Sequence, residues 1–144
     1  MDFVREHSSG YLTNWAARLF ARAIDRRLQP LGLSSAYMPV FFALAGGQAL
    51  SQVALAERAS VEQPTMANTL KRMERDGLIA RRPDPTDGRA TLVSLTAEAQ
   101  QKLRGVRTAG QAVNDVAMQG LSAAEREQYL KLLRTVIASL EADD

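Results

Sequence analysis

Apolar positions recur with helical spacing at both ends of the chain and give way in the middle to short strand-like runs. Leu12, Trp15, Ala16, Leu19, Phe20 and Ala23 fall at i, i+3, i+4, i+7, i+8 and i+11, which predicts an amphipathic helix from Tyr11 to Leu28. Gln29, Pro30, Leu31 and Gly32 end it. A second, largely apolar helix is expected from Leu33 to Ala45, capped by Ser34 or Ser35, with Pro39 delaying or kinking its start. Gly46 and Gly47 break it, and Gln48, Ala49 and Leu50 lead to Ser51, an N-cap for a third helix through Ala59. Near the C-terminus, Thr96 is placed to cap a long helix to about Met118. Ala99, Leu103, Val106, Gly110, Val113 and Ala117 form its heptad-like seam, and Gly105 and Gly110 weaken it enough to allow a bend. Ser122 with Glu125 is a capping-box pattern for the last helix. Its Tyr129, Leu132, Leu133, Val136, Ile137 and Leu140 repeat the spacing of the first.

The stretch from Val61 to Thr96 organises the rest. It predicts one helix, a strand, a tight basic turn and a returning strand over Ala90 to Leu95. On a helix of about 100° per residue, Met66, Leu70 and Met73 share one side. Thr65, Asn68, Arg72 and Arg75 share roughly the opposite side, with Gln63 and Lys71 near its edges. One face can bury itself while the other reaches an anionic partner. Pro64 fits the first turn, where its missing N–H costs little, and Gly77 fits the C-terminal cap. The Asp87-Gly88 pair between two apolar runs signals a hairpin.

These residues resemble the winged helix-turn-helix of MarR-type bacterial transcriptional regulators. The matching elements are Gln63, Pro64 and Thr65 opening the recognition helix, then Leu70, Met73, Glu74, Gly77, Leu78 and Ile79. In the wing they are Asp87, Gly88 and Arg89, with Leu95 and Thr96 closing it. The resemblance implies a mostly α (α+β) fold: a winged helix-turn-helix core with N- and C-terminal dimerisation helices. It makes 1–144 a single MarR-type domain, with 33–96 the DNA-binding part and 1–32 and 97–144 the dimerisation helices. It also implies a homodimeric repressor on a pseudo-palindromic operator in double-stranded DNA, released by a small aromatic or phenolic effector. Gln63, Thr65 and Asn68 have the chemistry to read base edges, and Arg72 can pair with guanine or phosphate. Lys71 and Arg75 suit phosphate contacts, which position without specifying. By resemblance Arg89 enters the minor groove, while Asp87 orients its guanidinium through a charge-assisted hydrogen bond. A solvated surface is the plainer account of Gln63, Asn68 and Lys71, and turn formation is the plainer role for Asp87.

Charge and composition narrow the partners. The net charge of +2, from 18 basic and 16 acidic residues, says little about nucleic acid. Between Lys71 and Arg89, however, six bases face four acids, whereas from Leu121 onward three bases face five acids. The middle of the chain therefore suits phosphate and the C-terminal end does not. No cysteine is present, which excludes disulfides and thiol-based redox sensing. The single histidine, His7, excludes a multi-histidine metal site, and no cofactor is expected. No apolar run approaches the roughly 20 residues needed to cross a membrane. The first residues, acidic and basic before any apolar stretch, do not read as a signal peptide, so a cytoplasmic protein is expected.

His7, Tyr11, Trp15 and Arg18 near the first helix, with Tyr37, Met38 and Phe41 in the second, are candidates to line an effector cleft. Plain core is the alternative for such an aromatic and methionine stripe. Arg18, Arg22 and Arg26 recur every fourth position, the spacing of a solvated face. An enzyme finds no support: nucleophile motif, phosphate-binding glycine loop and metal cluster are all missing. A protein-interaction module that has lost DNA binding remains the other class, and the presence of Arg72, Arg75 and Arg89 argues against it.

Overall fold

The computed structural model describes residues 3–144. Its elements, in chain order, are α1 (Ser9–Leu28), α2 (Met38–Leu44), β1 (Ala49–Ser51), α3 (Gln52–Ala59), α4 (Gln63–Arg75), β2 (Ile79–Pro83), β3 (Thr91–Leu95), α5 (Ala97–Met118) and α6 (Ala123–Asp143). The chain divides into two compact units, one running up to Gly110 and the other Gln111–Asp144. Among the described residues no helix is long and apolar enough to cross a membrane.

In the first unit the expected helices form, with local changes that have physical causes. The anticipated helix from Leu33 is split. A 3-10 turn, Ser35–Tyr37, comes first, and α2 starts only at Met38, because Pro39 has no N–H and is tolerated only in a first helical turn. The Ser34 hydroxyl accepts from the Ala36 N–H at 3.3 Å, and the Asp25 carboxylate accepts from the Ser35 N–H at 2.7 Å. The lead-in before Ser51 is a strand that sequence pattern alone did not reveal. β1 pairs with β3 through Ala49↔Ser94, Leu50↔Val93 and Ser51↔Leu92, giving an antiparallel sheet of order β1-β3-β2. Ser51 ends this strand and also caps α3, its hydroxyl accepting from the Ala54 N–H at 3.2 Å.

The core of this unit gathers Leu28, Val40, Phe41, Leu44, Leu55, Leu70, Met73, Val93 and Val106, all fully enclosed. Each such side chain contributes about 1.5–3 kcal/mol through burial. On α5, Ala99, Leu103, Val106 and Ala109 are buried in this unit, so the predicted seam holds at Ala99, Leu103 and Val106; in the second unit Val113 is buried and Ala117 exposed. Gly105 has a packing reason for lacking a side chain, since a Cβ there would lie 2.8 Å from Leu31 Cδ1. Lys102 anchors the same place, its Nζ donating to the Leu31 carbonyl at 2.9 Å.

In the second unit, α6 begins with the expected capping box. The Ser122 hydroxyl accepts from the Glu125 N–H at 3.2 Å, and the Glu125 carboxylate accepts from the Ser122 N–H at 2.8 Å. That bond from the Ser122 backbone, with its hydroxyl second, holds the Glu125 carboxyl below its ordinary range. No residue of α6 is buried, and Tyr129, Leu132, Val136, Ile137 and Leu140 all stand exposed.

Candidate nucleic-acid interface

The site is built on α3, α4 and the β2–β3 hairpin. α3 stops at Ser60, which takes a left-handed backbone (φ 53°) and returns its N–H toward the end of α3, so α4 can begin after Val61 and Glu62. Pro64 sits in the first turn of α4 as expected. The far end closes with two reversed hydrogen bonds, Gly77 N–H to the Glu74 carbonyl at 3.1 Å and Leu78 N–H to the Met73 carbonyl at 2.9 Å. This closure requires Gly77 at φ +74° and brings buried Leu78 onto buried Met73.

The two faces of α4 are as different as the spacing implied. Met66, Thr69, Leu70 and Met73 are buried. Gln63, Pro64, Thr65, Asn68, Lys71, Arg72 and Arg75 are exposed. Among the described residues, the side chains of Gln63, Thr65, Asn68 and Lys71 make no hydrogen bond to the protein, so their donors and acceptors are free for another molecule. Thr96 ties the end of α4 to the start of α5. Its hydroxyl donates to the Gly77 carbonyl at 2.7 Å and accepts from the Ala99 N–H at 3.2 Å.

The hairpin pairs Ile79↔Leu95 through Pro83↔Thr91. Arg81 on β2 reaches back to Glu74 on α4, Nε to carboxylate 3.1 Å, and so fixes the hairpin against the helix. The tip is a longer loop than a two-residue Asp-Gly turn, and Gly88 is not among the glycines with positive φ. The Asp84 N–H meets the Ala90 carbonyl at 2.9 Å, and the Ala90 N–H meets the Asp87 carbonyl at 3.0 Å. The Asp84 carboxylate accepts from the Thr86 N–H at 2.9 Å and the Thr86 hydroxyl at 2.8 Å. Those two bonds, the backbone one foremost, hold its carboxyl below the ordinary range.

One expectation at the tip needs correction. The Asp87 carboxylate accepts from the backbone N–H of Arg89 at 3.1 Å, not from its guanidinium. The reason is local: an aspartate two residues ahead of an N–H closes a small ring more readily than it reaches a long, solvated side chain. The Arg89 side chain is exposed and takes part in no ion pair among the described residues.

A cluster that sequence reasoning did not assemble lies on the flank of α4. The Tyr37 hydroxyl donates to Asp76 at 2.7 Å, Arg75 Nε donates to the same carboxylate at 3.3 Å, and the Arg72 guanidinium lies over the Tyr37 ring, 5.5 Å from its centroid. Burial first, then the bond to Asp76, pushes the Tyr37 phenol up. The same bond, more than Arg75, pulls the Asp76 carboxyl down. Arg82 is a further exposed base on β2, paired across the hairpin with Leu92.

The seven effector candidates differ in exposure. Tyr11 and Trp15 meet edge to face on α1 with centroids 6.4 Å apart, and Trp15, Arg18 and His7 are exposed. Tyr37 and Phe41, in contrast, are closed into the core, and Met38 is half-buried beside Gly110. Burial of rings this large is what their apolar area favours. The open hollow along α1, about 640 Å³, shares only Arg18 with the candidates and is otherwise lined by Arg22, Asp25, Arg26, Leu33 and their neighbours. Among the described residues no cluster of side chains suits a metal ion.

Residues 31–90 match the family model described as MarR family. The transcriptional regulator HosA of Escherichia coli O111:H- is 37% identical over 98 residues, covering 68% of this chain and 73% of HosA. Among solved structures, a mutant Escherichia coli MarR complexed with operator DNA has a TM-score of 0.85 at 25% identity, covering 94% of this chain and 99% of that one. The PcaV transcriptional regulator of Streptomyces coelicolor, in complex with its natural ligand, has a TM-score of 0.80 at 26% identity, covering 97% of this chain and 99% of that one. These relatives are regulators rather than enzymes. The hairpin of β2 and β3 is the wing of a winged-helix fold, and the chain belongs to the MarR family of DNA-binding transcriptional regulators.

Proposed function

We propose that this protein represses transcription by binding a pseudo-palindromic operator in double-stranded DNA as a homodimer in the cytoplasm. Residues 33–96 are the DNA-binding part, and 1–32 and 97–144 supply the dimerisation helices. The observation that carries the reading is the unpartnered polar face of α4, set on a helix whose opposite face is fully buried. A helix of this kind enters the major groove with its first turns against the base edges. Gln63, Thr65 and Asn68 then read bases, with Pro64 letting the helix start close to the DNA. Arg72 meets guanine or phosphate, Lys71 and Arg75 meet phosphate, and Arg89 reaches the minor groove on a wing tip closed by Asp87. The operator-bound relative supports this placement.

The exposed apolar stripe of α6, and that of α1 with Leu12, Trp15 and Leu19, support a second copy as partner. Half-sites then lie about one helical turn apart, roughly 10 bp. A small aromatic or phenolic acid releases the operator by favouring a dimer geometry in which the two recognition helices are wrongly spaced. The ligand-bound relative supports an effector, and the open side of α1, with Tyr11, Trp15, Arg18 and His7, supports its site.

The test is selection of bound sequences from a random DNA pool, followed by titration of the winner. Asn68→Ala should lose about 1–3 kcal/mol of discrimination at one base position per half-site. Arg75→Ala should weaken all sequences alike and make the salt slope shallower by about one unit. An unselective pool, or binding that does not weaken as salt rises, would remove the DNA reading.

A further inference from the structure

We propose that Tyr37 and Asp76 are positioning residues for DNA recognition. They hold Arg72 and Arg75 ready at the C-terminal half of α4 while touching no DNA themselves. The inference rests on the reading of α4 as the DNA-contacting helix. Arg72, Arg75 and Asp76 stand at i, i+3 and i+4, so they line one flank of the helix. Tyr37, only 2% exposed, is fixed against that flank from the turn before α2. The four side chains form a continuous series: Arg72 over the Tyr37 ring at 5.5 Å, Tyr37 hydroxyl to Asp76 at 2.7 Å, and Arg75 to the other Asp76 oxygen at 3.3 Å.

Each link leaves the arginines usable. A guanidinium attracted to an aromatic ring keeps its in-plane N–H donors for a base or a phosphate. Arg72 makes no ion pair among the described residues, so those donors are unspent. Arg75 gives only its Nε to Asp76, and its terminal nitrogens make no hydrogen bond among the described residues. An acid at this position would ordinarily be a defect, since it repels the DNA backbone and can quench both arginines. The hydroxyl of Tyr37 prevents the second effect by pinning one carboxylate oxygen on the protein side. Asp76 thus organises the bases at a modest electrostatic cost, and the arginines lose less freedom on binding than free surface side chains would.

The charge of Asp76 makes the test decisive in sign. Removing a negative charge beside DNA should by itself tighten binding and steepen its salt dependence. Loss of positioning should do the opposite. Asp76→Asn, Tyr37→Phe and the double variant are titrated against the selected operator at several salt concentrations, with Arg72→Ala and Arg75→Ala in parallel. Thermal melts confirm the fold, and should Tyr37→Phe fail to fold, the surface change at Asp76 carries the test alone. The expected result is binding weaker by about threefold to tenfold in each single variant, a shallower salt slope, and a double variant no worse than the weaker single. Equal or tighter binding in Asp76→Asn, with Arg72→Ala and Arg75→Ala still impaired, overturns the inference and leaves the DNA reading standing. If the two arginine variants also bind like the wild type, the assignment of this face of α4 fails, and the inference with it.

Discussion

The wing tip supplies the sharpest test of mechanism, because the bond observed there differs from an ion pair. Asp87 accepts from the Arg89 backbone N–H at 3.1 Å, so its function is to close the loop that carries Arg89. An amide oxygen can accept the same bond, whereas it cannot pair with a guanidinium charge. Asp87→Asn should therefore bind operator within about twofold of wild type. Asp87→Ala loses a hydrogen bond worth about 1 kcal/mol net, and solvent exposure places it in the lower part of the range. The ratio of ordered to disordered wing should fall about threefold to fivefold, and affinity should fall by at most that factor. Arg89→Ala should lose more, mostly on A·T-rich flanks, where the narrow minor groove concentrates negative potential. Asp87→Ala combined with Arg89→Ala should bind like Arg89→Ala alone, since a loop without its arginine gains nothing from closure. Fluorescence anisotropy on one operator with native and shuffled flanks measures all of these. Equal impairment of Asp87→Asn and Asp87→Ala would refute the backbone role. An Arg89→Ala variant that binds every flank normally would show that the wing does not touch DNA.

Val136→Glu places a charge in the exposed apolar stripe of α6 and should lower dimer and operator affinity together, read by light scattering and DNA titration; a stable dimer would sink that interface. Thr96→Val removes both hydroxyl bonds at the α4–α5 junction and should cost about 1–2 kcal/mol in urea denaturation at fixed protomer concentration, with Thr96→Ser recovering most of it. The Tyr37–Asp76 bond predicts a two-sided pH dependence. The raised phenol stabilises below the ordinary tyrosine value and loses this as pH rises through its folded value. The lowered carboxyl stabilises above the ordinary aspartate value and loses this as pH falls through its folded value. The stability difference between wild type and Tyr37→Phe should be flat between those limits and shrink beyond both; a difference that persists at both extremes would assign the effect to packing alone.

Periodicity carried most of the fold because it marks one apolar face on each helix, whether that face is buried, as on α4, or left exposed, as on α6. Met66, Leu70 and Met73 are enclosed as their spacing required, and Gly77, Ser51, Ser122 and Thr96 sit at the helix ends that their chemistry favours. β1 escaped because three residues, Ala49 to Ser51, cannot express an alternation, and their strand character comes wholly from pairing with β3. The same limit hid the 3-10 turn before α2. The sequence shows that Pro39 disturbs a helix start, but the length of the disturbance depends on Asp25 accepting the Ser35 N–H from another helix.

The site was legible where it depends on one element and illegible where it depends on two. The polar face of α4 follows from spacing alone, and so does the exposure of Gln63, Asn68 and Arg75. In sequence Tyr37 falls among the ligand candidates, because an aromatic in an apolar stretch shows no partner there. Its partner, Asp76, lies across the fold and is an ordinary helix-end acid until the two are brought within 2.7 Å. An acid directly following Arg75, at the end of a helix whose exposed face carries Lys71, Arg72 and Arg75, is the clue in the sequence. A residue that opposes the net charge of its neighbourhood calls for a partner that makes its presence useful. Tyr37 is that partner, and the sign of the Asp76→Asn effect on operator binding decides whether the pair serves DNA recognition or only closes the core.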